Sequence, residues 1–246
     1  MHDETLPALI EIAAFGADRR GAAGIRRRAA AGELLRVHPG TFVVADELRA
    51  LSPRRQHVLR ATAALGRADH RFVASHGTAA AVHALPRLGD WPDRVHVTDP
   101  EARAATVDAH VTKHAGPLDR AHVTEVRGLR VTTPLRTALD LACSEEHREA
   151  VVALDDLLHR GLVGRDELLL ALEHHPRRRG RRAAAAAIEA ADALAESPGE
   201  TLCRLVLAQL GAPAPVLQQG FVVEGRRVRV DFWFPEQGVV LEFDGH

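Results

Sequence analysis

The carboxy-terminal stretch constrains the fold most. Arg227-Val228-Arg229-Val230-Asp231-Phe232-Trp233-Phe234 alternates polar and apolar side chains, the period of a strand with one buried face. Pro235-Glu236-Gln237-Gly238 supplies turn chemistry, and Val239-Val240-Leu241-Glu242-Phe243-Asp244 predicts a second strand. A short turn lets the two pair antiparallel. Residues i and i+2 of a strand share a face, so Glu242 and Asp244 are expected to point the same way, with Asp231 beside them. Glu200 is expected near the start of a helix that follows Ser197 and Pro198. Carboxylates gathered at adjacent strand ends suit Mg2+, which is commonly held by one or two of them plus substrate phosphate. That chemistry suits phosphodiester hydrolysis. In the plainer reading the acids are solvated strand ends, and Glu200 is a helix-start charge favoured by the macrodipole.

Four segments carry a resemblance: Glu196-Ser197-Pro198-Gly199-Glu200-Thr201-Leu202-Cys203-Arg204, Pro213-Ala214-Pro215-Val216-Leu217-Gln218, Arg229-Val230-Asp231-Phe232 and Leu241-Glu242-Phe243-Asp244-Gly245. In this order and spacing they resemble the endonuclease-like domain related to the very-short-patch-repair nucleases, of the PD-(D/E)XK superfamily. The resemblance covers residues 191–246. It implies Glu200 as the helix carboxylate, Asp231 as the metal-bridging aspartate, Glu242 as the second strand carboxylate and Asp244 in support, with Mg2+ as cofactor. Two departures bear on activity. Asp244 stands where the superfamily pattern has a lysine, and the sequence stops at His246, before the further strands and helix of such domains. This domain is therefore expected to be truncated.

At 246 residues the chain is long enough for two or three modules. A hydrophobic share of 46% and a charged share of 26% are those of a globular protein. The net charge of −1 provides no overall basic field, so only local patches can argue for nucleic acid. Cys143 and Cys203 are far apart and lack metal-ligand spacing, which predicts reduced thiols. Met1-His2-Asp3-Glu4 is not a basic leader, and no apolar run reaches membrane-spanning length. The expected location is cytoplasmic, with no membrane partner. Nearly all basic residues are arginine, Lys113 being the only lysine.

At the amino end, Leu6 to Phe15 predicts a helix, Gly16 to Gly21 a turn, and Ala22 to Leu35 a second helix bearing Arg26, Arg27 and Arg28. Arg36-Val37-His38-Pro39-Gly40-Thr41-Phe42-Val43-Val44 predicts a hairpin with Pro39-Gly40 at its tip. Helix, turn, basic helix and hairpin make a winged helix, assigned to residues 1–48. In such a module the second helix enters the major groove while the wing touches the backbone. Arg19, Arg20, Arg26, Arg27 and Arg36 are the nucleic-acid-binding candidates; the alternative is a solvated charged face. The pattern Gly32-Glu33-Leu34-Leu35-Arg36 resembles the winged helix of AbiEi-type antitoxins.

In the middle, residues 49–175, Phe72-Val73-Ala74 predicts a strand end feeding a helix, which Ser75 or Thr78 would cap and which stops before Pro86. Arg94 to Thr98 alternates as a strand. Gly128 to Thr132 leads into a helix entered at Thr133-Pro134. This succession resembles the central domain of AbiEi-type proteins. His110 with His114, and His174 with His175, tempt a metal reading but lack a third ligand at defined spacing. Ser75 and His76 lack the third group of a triad.

Pro176-Arg177-Arg178-Arg179-Gly180-Arg181-Arg182 carries five arginines in seven residues and precedes a helix predicted over Ala183 to Ala195. Residues 176–190 form an arginine-rich linker and helix start, either solvated or with Arg177, Arg178 and Arg179 on phosphates. The expected fold class is α/β (mixed α+β): an amino-terminal winged helix, a mixed middle domain and an incomplete restriction-endonuclease-like domain. The expected function is a metal-dependent endonuclease acting on nucleic acid, with DNA the expected target. The alternative is a DNA-binding transcriptional regulator, or an antitoxin with a toxin as partner protein, whose nuclease-like domain is inactive.

Overall fold

The computed structural model describes residues 5–15, 18–66, 71–174 and 179–244. The fold is mixed α and β, in two compact units: residues 1–84 with 90–133, and residues 85–89 with 134–246.

The first unit opens with strand β1 (Ile10–Glu11) and a 3-10 turn over Ile12–Phe15. Helix α1 (Arg19–Ala30) follows, then β2 (Leu34–His38) and β3 (Thr41–Val44). The helix expected over Leu6 to Phe15 is not formed. Pro7 disfavours helical geometry at Leu6, and Ile10 and Glu11 instead pair antiparallel with Phe42 and Thr41, giving a sheet ordered β1-β3-β2. The second expected helix lies further upstream than Ala22 to Leu35. Asp18 caps it by accepting the amides of Arg20 and Gly21, Gly32 follows its end at φ 78°, and Leu34 and Leu35 fall in β2. Ile25, Leu34 and Phe42 form the small core beneath α1. The hairpin turns at Pro39-Gly40 as expected, with Gly40 at φ 76°, a conformation that glycine adopts without strain.

Helices α2 (Ala45–Arg49) and α3 (Pro53–Leu65) lead into a six-stranded sheet. Its strands are β4 (Val73–Ala74), β5 (Val95–Asp99), β6 (Thr106–Val107), β7 (Val111–Ala115), β8 (Val123–Val126) and β9 (Leu129–Thr132), in the order β6-β7-β5-β4-β9-β8. The β5–β7 and β4–β9 pairs are parallel. Ala61 and Ala64 of α3 pack on Val95 and Val97. Helix α4 (His76–Val82) follows β4, but neither Ser75 nor Thr78 caps it through its side chain. Thr78 is occupied elsewhere: its hydroxyl lies 2.9 Å from Nε2 of the fully buried His57 and accepts the His96 amide at 2.8 Å. His57 Nδ1 sits 2.9 Å from the Pro92 carbonyl. A carbonyl only accepts, so Nδ1 carries a proton, and in the neutral ring Thr78 donates to Nε2.

The second unit contains α5 (Pro134–Ser144), α6 (His147–His159), α7 (Arg165–Glu173), α8 (Arg181–Ala190) and α9 (Pro198–Gln209). They are followed by β10 (Val216–Val223), β11 (Arg226–Phe234) and β12 (Val239–Leu241), an antiparallel sheet ordered β10-β11-β12. As expected, Pro134 is the first residue of α5. Helix α8 ends at Ala190 instead of running to Ala195. Its last carbonyls are satisfied from outside, Ile188 and Glu189 by Arg165, Ala190 by Arg204 and Ala191 by Arg165, which answers the orphan acceptors of a helix end. Val230, Phe232 and Phe234 are buried and alternate with half-buried Asp231 and Trp233, the predicted period of two. Strand β12 is shorter than expected, so Glu242 and Asp244 lie beyond it.

Candidate functional site

Two groups of sequence-predicted residues can be placed. The first surrounds the start of α9. Ser197 is its N-cap, and Glu200 sits three positions in: Ser197 Oγ accepts the Glu200 amide at 3.2 Å and donates to Glu200 Oε1 at 2.8 Å. Glu200 Oε2 accepts the Glu196 amide at 3.0 Å. Ser197 thus caps the helix, while the Glu200 carboxylate reaches back past the cap to the amide of the residue before it. Glu200 is also 8% exposed and receives Gln218 Nε2 at 2.9 Å. The same amide nitrogen reaches Asp231 Oδ1 at 3.4 Å, so Gln218 ties the two carboxylates together.

Asp231 Oδ2 accepts the Phe243 amide at 2.9 Å. Phe243 in turn covers Gly199: a Cβ there would lie 1.9 Å from its ring, so any larger residue would push the exposed ring aside. Two residues before Asp231, Arg229 grips Glu196 with both nitrogens, at 2.6 and 2.7 Å. Burial first, and the charge of Asp231 second, push the Cys203 thiol above its usual range, which favours the protonated thiol of a half-buried residue packed against Leu217, Phe232 and Phe234.

Glu200 and Asp231 are therefore brought together, whereas Glu242 and Asp244 are exposed. Among the described residues no three His, Cys, Asp or Glu side chains group as metal ligands. Glu200 and Asp231 supply two carboxylates, a number compatible with Mg2+. The sequence does not single out Gln218 as a site residue, although it closes one of the four segments that carry the resemblance.

The second group is basic. Arg19, Arg20, Arg26 and Arg27 are exposed on α1, and Arg36 is exposed on β2. At 100° per residue, Arg20 and Arg27 lie opposite the buried Ile25, with Arg19 and Arg26 beside them, so residues seven apart form two rows along the solvent face. Arg28 is different, pairing with Glu33 at 2.9 Å. None of the other five has a carboxylate within ion-pair distance among the described residues. Arg179 is exposed just before α8, while Arg177 and Arg178 lie outside the described residues.

The tempting histidines separate. His110 meets His38 edge to face at 5.5 Å between ring centroids, while His114 stacks on His76 at 3.6 Å. His175 lies outside the described residues.

Residues 70–186 match the family described as the AbiEi antitoxin C-terminal domain. The match ends before α9 and the carboxylates. The chain is similar to the uncharacterized protein Rv2248 of Mycobacterium tuberculosis and to its CDC 1551 counterpart MT2308, each 32% identical over 174 residues. These alignments cover 70% of this chain and 62% of each relative. A solved structure, that of the RV2827C protein from Mycobacterium tuberculosis, aligns at 16% identity and a TM-score of 0.48, over 89% of this chain and 85% of that one. Among the described residues no helix is long and apolar enough to cross a membrane.

Proposed function

We propose that this chain is a DNA-binding regulator of the antitoxin kind that acts in the cytoplasm, with nucleic acid as one partner and a toxin protein as the other. The supporting observation is the conjunction of the family match over residues 70–186 with five exposed arginines lacking carboxylate partners among the described residues. In this reading residues 1–48 are a DNA-binding domain that keeps the basic helix and hairpin of a winged helix, with strand β1 where the first helix was expected. The solvent rows of α1 enter the major groove, and Arg36 meets the backbone from the hairpin. Residues 49–175 form the middle domain, residues 176–190 the arginine-rich linker, and residues 191–246 a carboxy-terminal domain that acts as a scaffold.

The test is binding of the full chain to fluorescent duplexes of mixed sequence across a salt series. Replacing Arg26 and Arg27 by alanine should weaken binding and make its salt dependence shallower, because fewer phosphates are then neutralised and fewer counterions released. Equal binding by wild type and variant would refute the interface.

The convergence of Glu200 and Asp231 on Gln218 supports a second reading, an endonuclease-like carboxy-terminal domain. Glu200 and Asp231 would hold Mg2+, with Glu242 and Asp244 drawn in on loading, and the ion would supply an activated water and stabilise charge on the phosphate. Asp231→Ala should then abolish Mg2+-dependent nicking while leaving DNA binding intact. Absence of nicking by the wild-type chain would remove this reading and leave the first untouched.

A further inference from the structure

The only lysine of the chain, Lys113, lies in an unusual place. Val95 pairs with Val111 and Val97 with Lys113 across β5 and β7, and opposed residues of a sheet share a face. Lys113 therefore extends the row of valines that meets Ala61 and Ala64 of α3. Its ammonium is 5.1 Å from the centroid of the Phe72 ring, a cation–π distance. The residue is half-buried, and among the described residues no carboxylate lies within ion-pair distance of it. The nearby acid Asp108 is turned to the backbone, its Oδ1 accepting the amides of His110 and Val111 at 2.8 Å each. Those two bonds lead the causes that hold its carboxyl below the usual range, so it remains an anion. Lys113 is among the charges that lower its pKa, acting on Asp108 by proximity rather than through an ion-pair contact.

Beside Lys113 the first unit contains a cavity of about 400 Å³. Its walls are apolar, formed by Leu65, Phe72, Val97 and Val111, and its polar groups are Lys113, the imidazoles of His38 and His110, and the Asp108 carboxylate. The volume falls within the small-ligand range, and apolar walls with a few convergent polar groups are the usual character of such sites.

We propose that this cavity binds a small monoanionic carboxylate with a flat apolar body, the carboxylate on Lys113 and the body against Phe72 and the three aliphatic residues. One ammonium with Asp108 nearby favours a single negative charge over the double charge of a phosphate monoester. Because His38, the last residue of β2, and Pro39 of the following turn also line the cavity, its occupant touches the hairpin that carries Arg36. The inference stands independently of the DNA-binding reading.

The experiment is calorimetric titration of the full chain with naphthoate, with naphthamide as neutral isostere. Naphthoate should bind saturably at one site, and naphthamide about tenfold or more weakly. Lys113→Met should lower naphthoate affinity by about tenfold, leave naphthamide binding unchanged, and be largely rescued by Lys113→Arg. Lys113→Gln replaces the methionine variant if that variant does not fold. The proposal is overturned if the folded chain shows no saturable binding, if acid and amide bind alike, or if the lysine substitutions leave naphthoate affinity unchanged.

Discussion

Arg204 Nη2 donates to Asp155 Oδ2 at 2.7 Å, joining α6 to α9 across an interior where the Asp155 side chain is 1% exposed and that of Arg204 16%. Asp155 also accepts the Asp192 amide at 2.7 Å and the Thr201 hydroxyl at 2.8 Å, while Arg204 bonds the Ala190 carbonyl at the end of α8. One ion pair thus fixes the start of α9, and with it Glu200, against the helices of the second unit.

Removing one partner of such a pair strands the other. Arg204→Met should destabilise the second unit by about 3–5 kcal/mol, because the Asp155 charge then remains buried without its cation. Adding Asp155→Asn should recover part of that loss, since an amide has no charge to strand. Urea unfolding of the two variants checks this; additive losses would contradict it.

The same carboxyl gives a pH signature. Burial raises its pKa above the ordinary 3.8, against the opposing pull of Arg204, the Asp192 amide and the Thr201 hydroxyl. An acid with a raised folded-state pKa binds its proton more tightly when folded. Its contribution to stability therefore falls as pH rises from the ordinary value through the raised one. The stability difference between wild type and Asp155→Asn should decline across that window and level off above it. A difference that grows with pH would contradict the direction of the shift.

Gly180 precedes α8 at φ 80°, and a Cβ there would stand 2.0 Å from the Cys143 carbonyl oxygen. Backbone cannot yield as a side-chain tip can. Gly180→Ala should therefore lower the unfolding midpoint clearly, combining a strained φ with a forced separation of α5 and α8. Gly199→Ala meets only the ring of the exposed Phe243 and should cost much less. Thermal unfolding of both variants gives the comparison, and equal losses would refute it.

Residues with strong local signals were legible from sequence. The alternation through Asp231, the Pro39-Gly40 hairpin, the entry to α5 at Pro134 and the cap at Ser197 all stand where local chemistry put them. What failed depended on partners distant in sequence. Ile10-Glu11-Ile12 is short enough to read either way, and β3 decides for a strand. Thr78 resembles a cap until His57 and the His96 amide occupy it. At the carboxylates, the sequence pointed to Asp231 and Glu200 but not to Gln218 between them, nor to the end of β12 before Glu242. Lys113 read as a compositional oddity, because only the β5–β7 register puts it among valines.

Binding of DNA phosphates by the arginine rows of α1 is read in the slope of log affinity against log salt for a mixed-sequence duplex, measured for the wild-type chain and for the Arg26→Ala, Arg27→Ala double variant. If both arginines neutralise phosphates, the variant binds more weakly at every salt concentration, and its slope is shallower by about 0.9 for each phosphate left without its arginine. Coincident affinities and slopes would show that α1 presents an ordinary solvated face and would contradict the account.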